Sequence, residues 1–168
     1  MGAPLLHVLG GLPGCGKSTL ARAFAERIGA LWLRVDSIEQ AIRDAGGTFV
    51  GPEGYLVAAA VARDNLADGR SVVVDAVNPL PVTREGFRLA ARAAGATCSE
   101  VEVRCSDPAE HRHRVEHRRA EVPGLRLPTW EEVVAREFVP WPEARRLDTS
   151  ARSAAESLDD LLALLGSG

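Results

Sequence analysis

Apolar residues along this chain fall into two alternating rhythms. Residues 5–9 form a short, mainly apolar run of strand length. Leu20, Phe24 and Ile28 then recur every four residues, one face of a helix that Gly29 ends. "LWLRV" (31–35) reads as a second strand, with Ile38 and Ile42 on a helix after it. "YLVAAAVARDNLA" (55–67) is apolar nearly all round, which predicts a buried helix. "SVVVDA" (71–76), β-branched and bounded by turn residues, is the clearest strand. Residues 83–94 look helical, and "TCSEVEVRC" (97–105) alternates as a strand does. A further helix is expected from about Asp107, and "RRLDTS" (145–150) is a short last strand. Leu158, Leu161, Leu162 and Leu165 fit a closing amphipathic helix.

Strands alternating with helices in this way imply an α/β fold: a parallel sheet of about five strands with helices on both faces. No internal repeat or linker interrupts residues 1–168, so a single domain is expected. Ligands of such sheets gather beyond the strand C-termini. The Gly- and Pro-rich stretches 46–54 and 121–129 are therefore candidates for a substrate lip and a lid.

Composition narrows the class. The chain is 46% hydrophobic and 26% charged, as expected for a water-soluble protein, and its net charge of −3 argues against a generally basic nucleic-acid surface. No apolar run approaches the ~20 residues that span a bilayer, and no secretory signal pattern opens the chain. Cys15, Cys98 and Cys105 cannot all pair, which fits a reducing cytoplasm.

"GLPGCGKST" (11–19) matches G-x-x-x-x-G-K-[ST] through Gly11, Gly16, Lys17 and Ser18, between a strand and an amphipathic helix. Such a loop binds phosphate. Side chains at Gly14 and Gly16 would block close approach of the anion, and the amides from Gly14 and Cys15 through Thr19 surround it at the helix start. Lys17 is the chain's only lysine against 19 arginines. A compact ammonium suits the cradle between β- and γ-phosphates, where a forked guanidinium does not fit. The Ser18 hydroxyl is placed to hold Mg²⁺. Cys15 is either a thiol activated by the helix N-terminus or simply a small residue that fits.

Asp75, ending "SVVVDA", is the second candidate for Mg²⁺. No acid follows it to activate water, and with its one lysine used the chain has no N-K-x-D guanine signature. Asp36 is expected just beyond the second strand, either as the base that accepts an acceptor hydroxyl's proton or as a helix N-cap. "HRHRVEHRR" (111–119) places Arg114 and Arg118 four residues apart on one helical face. They are arginines of a closing lid around 111–129, or part of a solvated face.

"GLPGCGKSTLA", "VDS" and "VVVDAVNPLP", in that order and followed by the arginine helix after "CSDP", resemble a known family. They are similar to the small P-loop kinases grouped with the kinase domain of bacteriophage polynucleotide kinase; chloramphenicol phosphotransferase and zeta-toxin kinases are more distant relatives. The resemblance implies a nucleoside-monophosphate-kinase-like P-loop fold with a helical lid. It also implies roles: Asp36 as general base, Arg114 and Arg118 as a lid pair on the donor nucleotide, and Asn78 and Arg84 beside the acceptor. Polynucleotide kinases carry an arginine three residues after the base, where this chain has Glu39. A carboxylate there would repel a nucleic-acid phosphate. The expected activity is ATP- and Mg²⁺-dependent phosphorylation of a small-molecule hydroxyl. The alternatives are a 5′-hydroxyl polynucleotide kinase and a non-catalytic nucleotide sensor.

Overall fold

The computed structural model describes residues 2–47 and 51–166. Their elements run β1 (Leu5–Gly10), α1 (Lys17–Ile28), β2 (Leu31–Arg34), α2 (Val35–Asp44), α3 (Glu53–Ala67), β3 (Val72–Asp75), α4 (Pro81–Ala93), β4 (Thr97–Arg104), α5 (Pro108–His117), α6 (Trp130–Ala135), β5 (Arg145–Asp148) and α7 (Ala154–Gly166). The five strands are all parallel and lie in the order β2-β3-β1-β4-β5. This is the P-loop NTPase arrangement that the sequence pattern predicts.

Period-two alternation divides each central strand between two cores. Leu6, Val8, Val72 and Val74 join Val35, Phe87 and Trp141 on one face; Leu9, Val73, Val101 and Val103 join Phe24, Leu147 and Leu161 on the other. Burial on both faces explains why β3 reads as an unbroken apolar run. The register sets Arg34 opposite Asp75 across β2–β3, and Leu9 opposite Asp75 across β1–β3. Three strand ends therefore meet at one edge of the sheet.

Three expectations need correction. The helix over 55–67 is not buried all round. Only Gly54, Ala58, Ala62 and Leu66 of α3 are buried, while Leu56 is 65% exposed, because the helix has the sheet on one side only. The second strand stops at Arg34, so Asp36 lies in the first turn of α2 and Arg34 holds the N-cap position. Asp36 is therefore not the cap. Helix α6 was not expected, although its capping box, Thr129 with Glu132, is written in the sequence as T-x-x-E. Of the stretch 46–54, residues 48–50 lie outside the described residues.

Candidate active site

The glycine loop between β1 and α1 is held from behind. Gly14 takes φ 82° and Gly16 takes φ 92°, left-handed conformations that favour glycine. A Cβ on Gly14 would come within 2.5 Å of Val115 on α5, so this glycine admits a neighbouring helix, not the anion itself. Gly11 is also closely packed: a Cβ there would run into the Val103 carbonyl. The His111 ring nitrogen lies 2.8 Å from the Pro13 carbonyl, and the Thr149 hydroxyl donates to the Cys15 carbonyl at 2.7 Å. Lys17 opens α1 and is only 5% exposed, with Ser18 and Thr19 beside it.

Asp75 is 2% exposed, and burial pushes its carboxyl above the usual range against the pull of Lys17, the Ser18 hydrogen bond and Arg34. Its Oδ2 is buried without a hydrogen-bond partner. A buried carboxylate oxygen with no partner beside a serine hydroxyl fits a hard, oxygen-seeking cation such as Mg²⁺. Arg34 reaches toward it from β2, Nε to Oδ2 being 3.8 Å.

The loop opens into a cavity of about 970 Å³ at the C-terminal edge of the sheet. Lys17, Ser18, Asp36, Arg114 and Arg118 all line it. Two sequence-predicted groups, the loop and the α2 carboxylate, thus share one space. Arg114 donates to the Thr149 hydroxyl (2.8 Å) and carbonyl (2.9 Å) and to Glu110 (2.5 Å). It is an anchored arginine beside Gly16. Arg118 differs. Helix α5 stops at His117, so Arg118 is its extended C-cap residue, with its amide still bonded to the Arg114 carbonyl. Burial lowers its pKa, with Asp36 opposing, and its Nε is buried without a partner. Within the stretch 111–129 expected as a lid, His111 and Val115 are buried and support the glycine loop.

Tyr55 and Glu39 complete the wall near Asp36. Burial pushes the Glu39 carboxyl up, and the Asp36 charge adds to it. Burial likewise pushes the Tyr55 hydroxyl up to about 12. Sequence reasoning missed Tyr55 and Arg34. Tyr55 is the chain's only tyrosine, yet its place in an apolar run gave no sign of a polar task.

Asn78 and Arg84 do not line this cavity, contrary to the role expected of them. Asn78, at φ 53°, donates its backbone N–H to the Tyr55 hydroxyl (2.9 Å), and its side-chain Oδ1 accepts from the Thr83 hydroxyl (2.7 Å). It orients Tyr55 from behind. Arg84 is 2% exposed and donates to the carbonyls of Asn78, Pro79, Val139 and Pro140. Four of its five N–H donors are spent on backbone carbonyls, so Arg84 is a structural clip. The Cys15 thiol is buried in the core and pushed up by that burial, and its amide donates to Leu12, so it is not an activated thiol.

The model of an AAA domain family matches residues 6–136. The chain belongs to this family of P-loop kinases. An uncharacterised protein of Mycobacterium tuberculosis is 36% identical over 117 residues, and another of Mycobacterium bovis matches equally. The alignment covers 60% of this chain but only 23% of those relatives, which are much longer. Among solved structures, a gluconokinase from Sinorhizobium meliloti superposes with a TM-score of 0.69 at 22% identity, covering 99% of this chain and 94% of that one. The Mycobacterium tuberculosis APS kinase in complex with AMPPNP and APS gives 0.75 at 21%, covering 99% of each. Chaetomium thermophilum Kti12 in complex with ADP-AlF3 gives 0.66 at 21%, covering 94% of this chain and 97% of that one. These likenesses establish a kinase-type P-loop fold.

Proposed function

We propose that the protein transfers the γ-phosphate of ATP to a hydroxyl of a small-molecule acceptor. The observation that carries this reading is the placing of Asp36 on the same cavity as Lys17 and Arg118. A sensor needs no carboxylate facing the phosphate cradle. Amides of the glycine loop bind the phosphates, and Lys17 neutralises charge between the β- and γ-groups. Asp36 takes the proton from the acceptor hydroxyl as its oxygen forms a bond to the γ-phosphorus, and the bond to the β–γ bridging oxygen breaks to release ADP. Arg118, and Arg114 behind it, oppose the charge that spreads over the moving group. Ser18 and Asp75 would hold Mg²⁺, which screens the phosphate charge. The segment 118–128 is the lid of this reading.

Glu39 in the acceptor wall and the net charge of −3 favour a small molecule over a polynucleotide. Three free cysteines suit a cytoplasmic setting, and no helix among the described residues is long and apolar enough to cross a membrane.

The test is ATP turnover against a panel of nucleosides, sugars, aminoglycosides and oligonucleotides, repeated with Asp36→Asn. Asp36 lies in the first turn of α2, so its neutralisation costs stability only ~0.3–1 kcal/mol through the helix dipole. Acceptor phosphorylation is expected to fall ~10²-fold or more with ATP affinity kept. Tight ATP binding with no acceptor turned over by the wild type would instead establish the sensor.

A further inference from the structure

Arg34 stands between two carboxylates. Toward the sheet its Nε lies 3.8 Å from Asp75 Oδ2, too far for a hydrogen bond, and both atoms are buried without a partner. Toward the surface its Nη1 donates to Glu121 Oε2 at 3.0 Å. The strand register places Arg34 directly opposite Asp75, which keeps the guanidinium within reach of that carboxylate. The second depends on the segment 118–128. That segment touches the body beside Glu121, where Val122 is buried and a Cβ on Gly124 would sit 3.2 Å from Gln40. The Arg34 guanidinium also lies 5.7 Å over the Trp32 ring, and Arg118 adds positive charge nearby.

We propose that Arg34 couples the divalent cation at Asp75 to the docking of the segment 118–128. This inference rests on the reading that Ser18 and Asp75 hold Mg²⁺. A cation there competes with the guanidinium for a single carboxylate, and the two positive charges repel. Arg34 then gives its charge to Glu121, its remaining acid partner. Glu121 is 56% exposed on its side chain, and the Arg34 guanidinium is its hydrogen-bonded partner on the body. Strengthening that bond draws in the segment that carries Arg118 and Arg119 along the cavity. Linkage is reciprocal: a docked segment keeps Arg34 from Asp75 and tightens the cation. Arg34 is thus a positioning residue, acting through Asp75 and Glu121.

Hydrogen exchange of the full chain with ADP, in Mg²⁺ or in EDTA, tests the coupling without any acceptor. In the wild type, Mg²⁺ is expected to slow exchange across 118–128 and to tighten ADP by a factor in the ~5–150 range of coupled sites. In Glu121→Gln, whose exposed position makes the change benign for folding, the exchange contrast disappears and ADP retains a smaller Mg²⁺ dependence. Arg34→Met also loses the exchange contrast, while its Mg²⁺ dependence of ADP binding is kept because the competing charge is gone, and the double variant loses no more of the contrast than either single one, because both remove one link. Equal Mg²⁺-dependent protection in wild type and Glu121→Gln would overturn the coupling and leave the metal site standing. ADP binding in the wild type that ignores Mg²⁺ would overturn the metal site and the coupling together.

Discussion

Replacing Arg84 with methionine separates a structural clip from a substrate ligand. The methionine stem keeps the packing between Phe138 and Trp141, whose rings lie 5.3 Å and 4.6 Å from the guanidinium carbon. It removes every donor to the carbonyls of Asn78, Pro79, Val139 and Pro140, bonds of 2.6 to 3.1 Å that join the turn after β3 to the segment before β5. Hydrogen bonds to a charged group contribute about 1.5–3 kcal/mol each, so four amount to roughly 6–12 kcal/mol. Burying the cation costs several kcal/mol, which the variant recovers. A net destabilisation of about 4 kcal/mol remains. With a urea slope of ~2 kcal/mol/M, the unfolding midpoint should fall by about 2 M. Fluorescence-monitored urea unfolding measures it, and kinetics below the transition give the acceptor KM of the folded enzyme. A loss under about 1 kcal/mol together with a tenfold rise in acceptor KM would refute the clip and restore Arg84 to the acceptor pocket.

Three further outcomes are expected. Lys17→Arg should abolish transfer with the fold intact, and more than a tenth of wild-type kcat/KM (a barrier change of about 1.4 kcal/mol) would remove Lys17 from its role. Arg114→Ala should lower both the Tm and ATP affinity, since it unties Thr149, which holds the Cys15 carbonyl of the loop, from α5, whereas Arg118→Ala should lower kcat with ATP affinity kept; calorimetric titration beside steady-state rates distinguishes them, and equal losses in both variants would make Arg118 an ordinary anchor. His7, whose pKa burial lowers to about 4, binds its proton in the unfolded chain before the folded one, so its share of stability is whole above pH ~6.5 and is lost toward pH 4, about 3 kcal/mol in all. His7→Phe should flatten the wild-type decline in urea stability between pH 6.5 and 5; an unchanged slope would place the acid lability elsewhere.

The order of strands and helices, the glycine loop with Lys17 and Ser18, and the placing of Asp75 at the end of a central strand were legible in the sequence because they depend on local periodicity and short contiguous motifs. Other roles belong to residues brought together by the sheet. Strand pairing sets Arg34 opposite Asp75, 41 positions along the chain, and no spacing rule relates them. Tyr55 reaches the cavity because Asn78, 23 residues on, holds its hydroxyl. Arg84 carries the charge and position of a ligand, and only its four carbonyl partners reveal a clip. Arg114 and Arg118 share a helical spacing, yet α5 ends between them and gives one an anchor and the other a free Nε. Local motifs specify which chemistry is possible because their atoms are bonded neighbours. Partner choice among polar side chains is a matter of distance and burial, and those quantities exist only once the chain has packed.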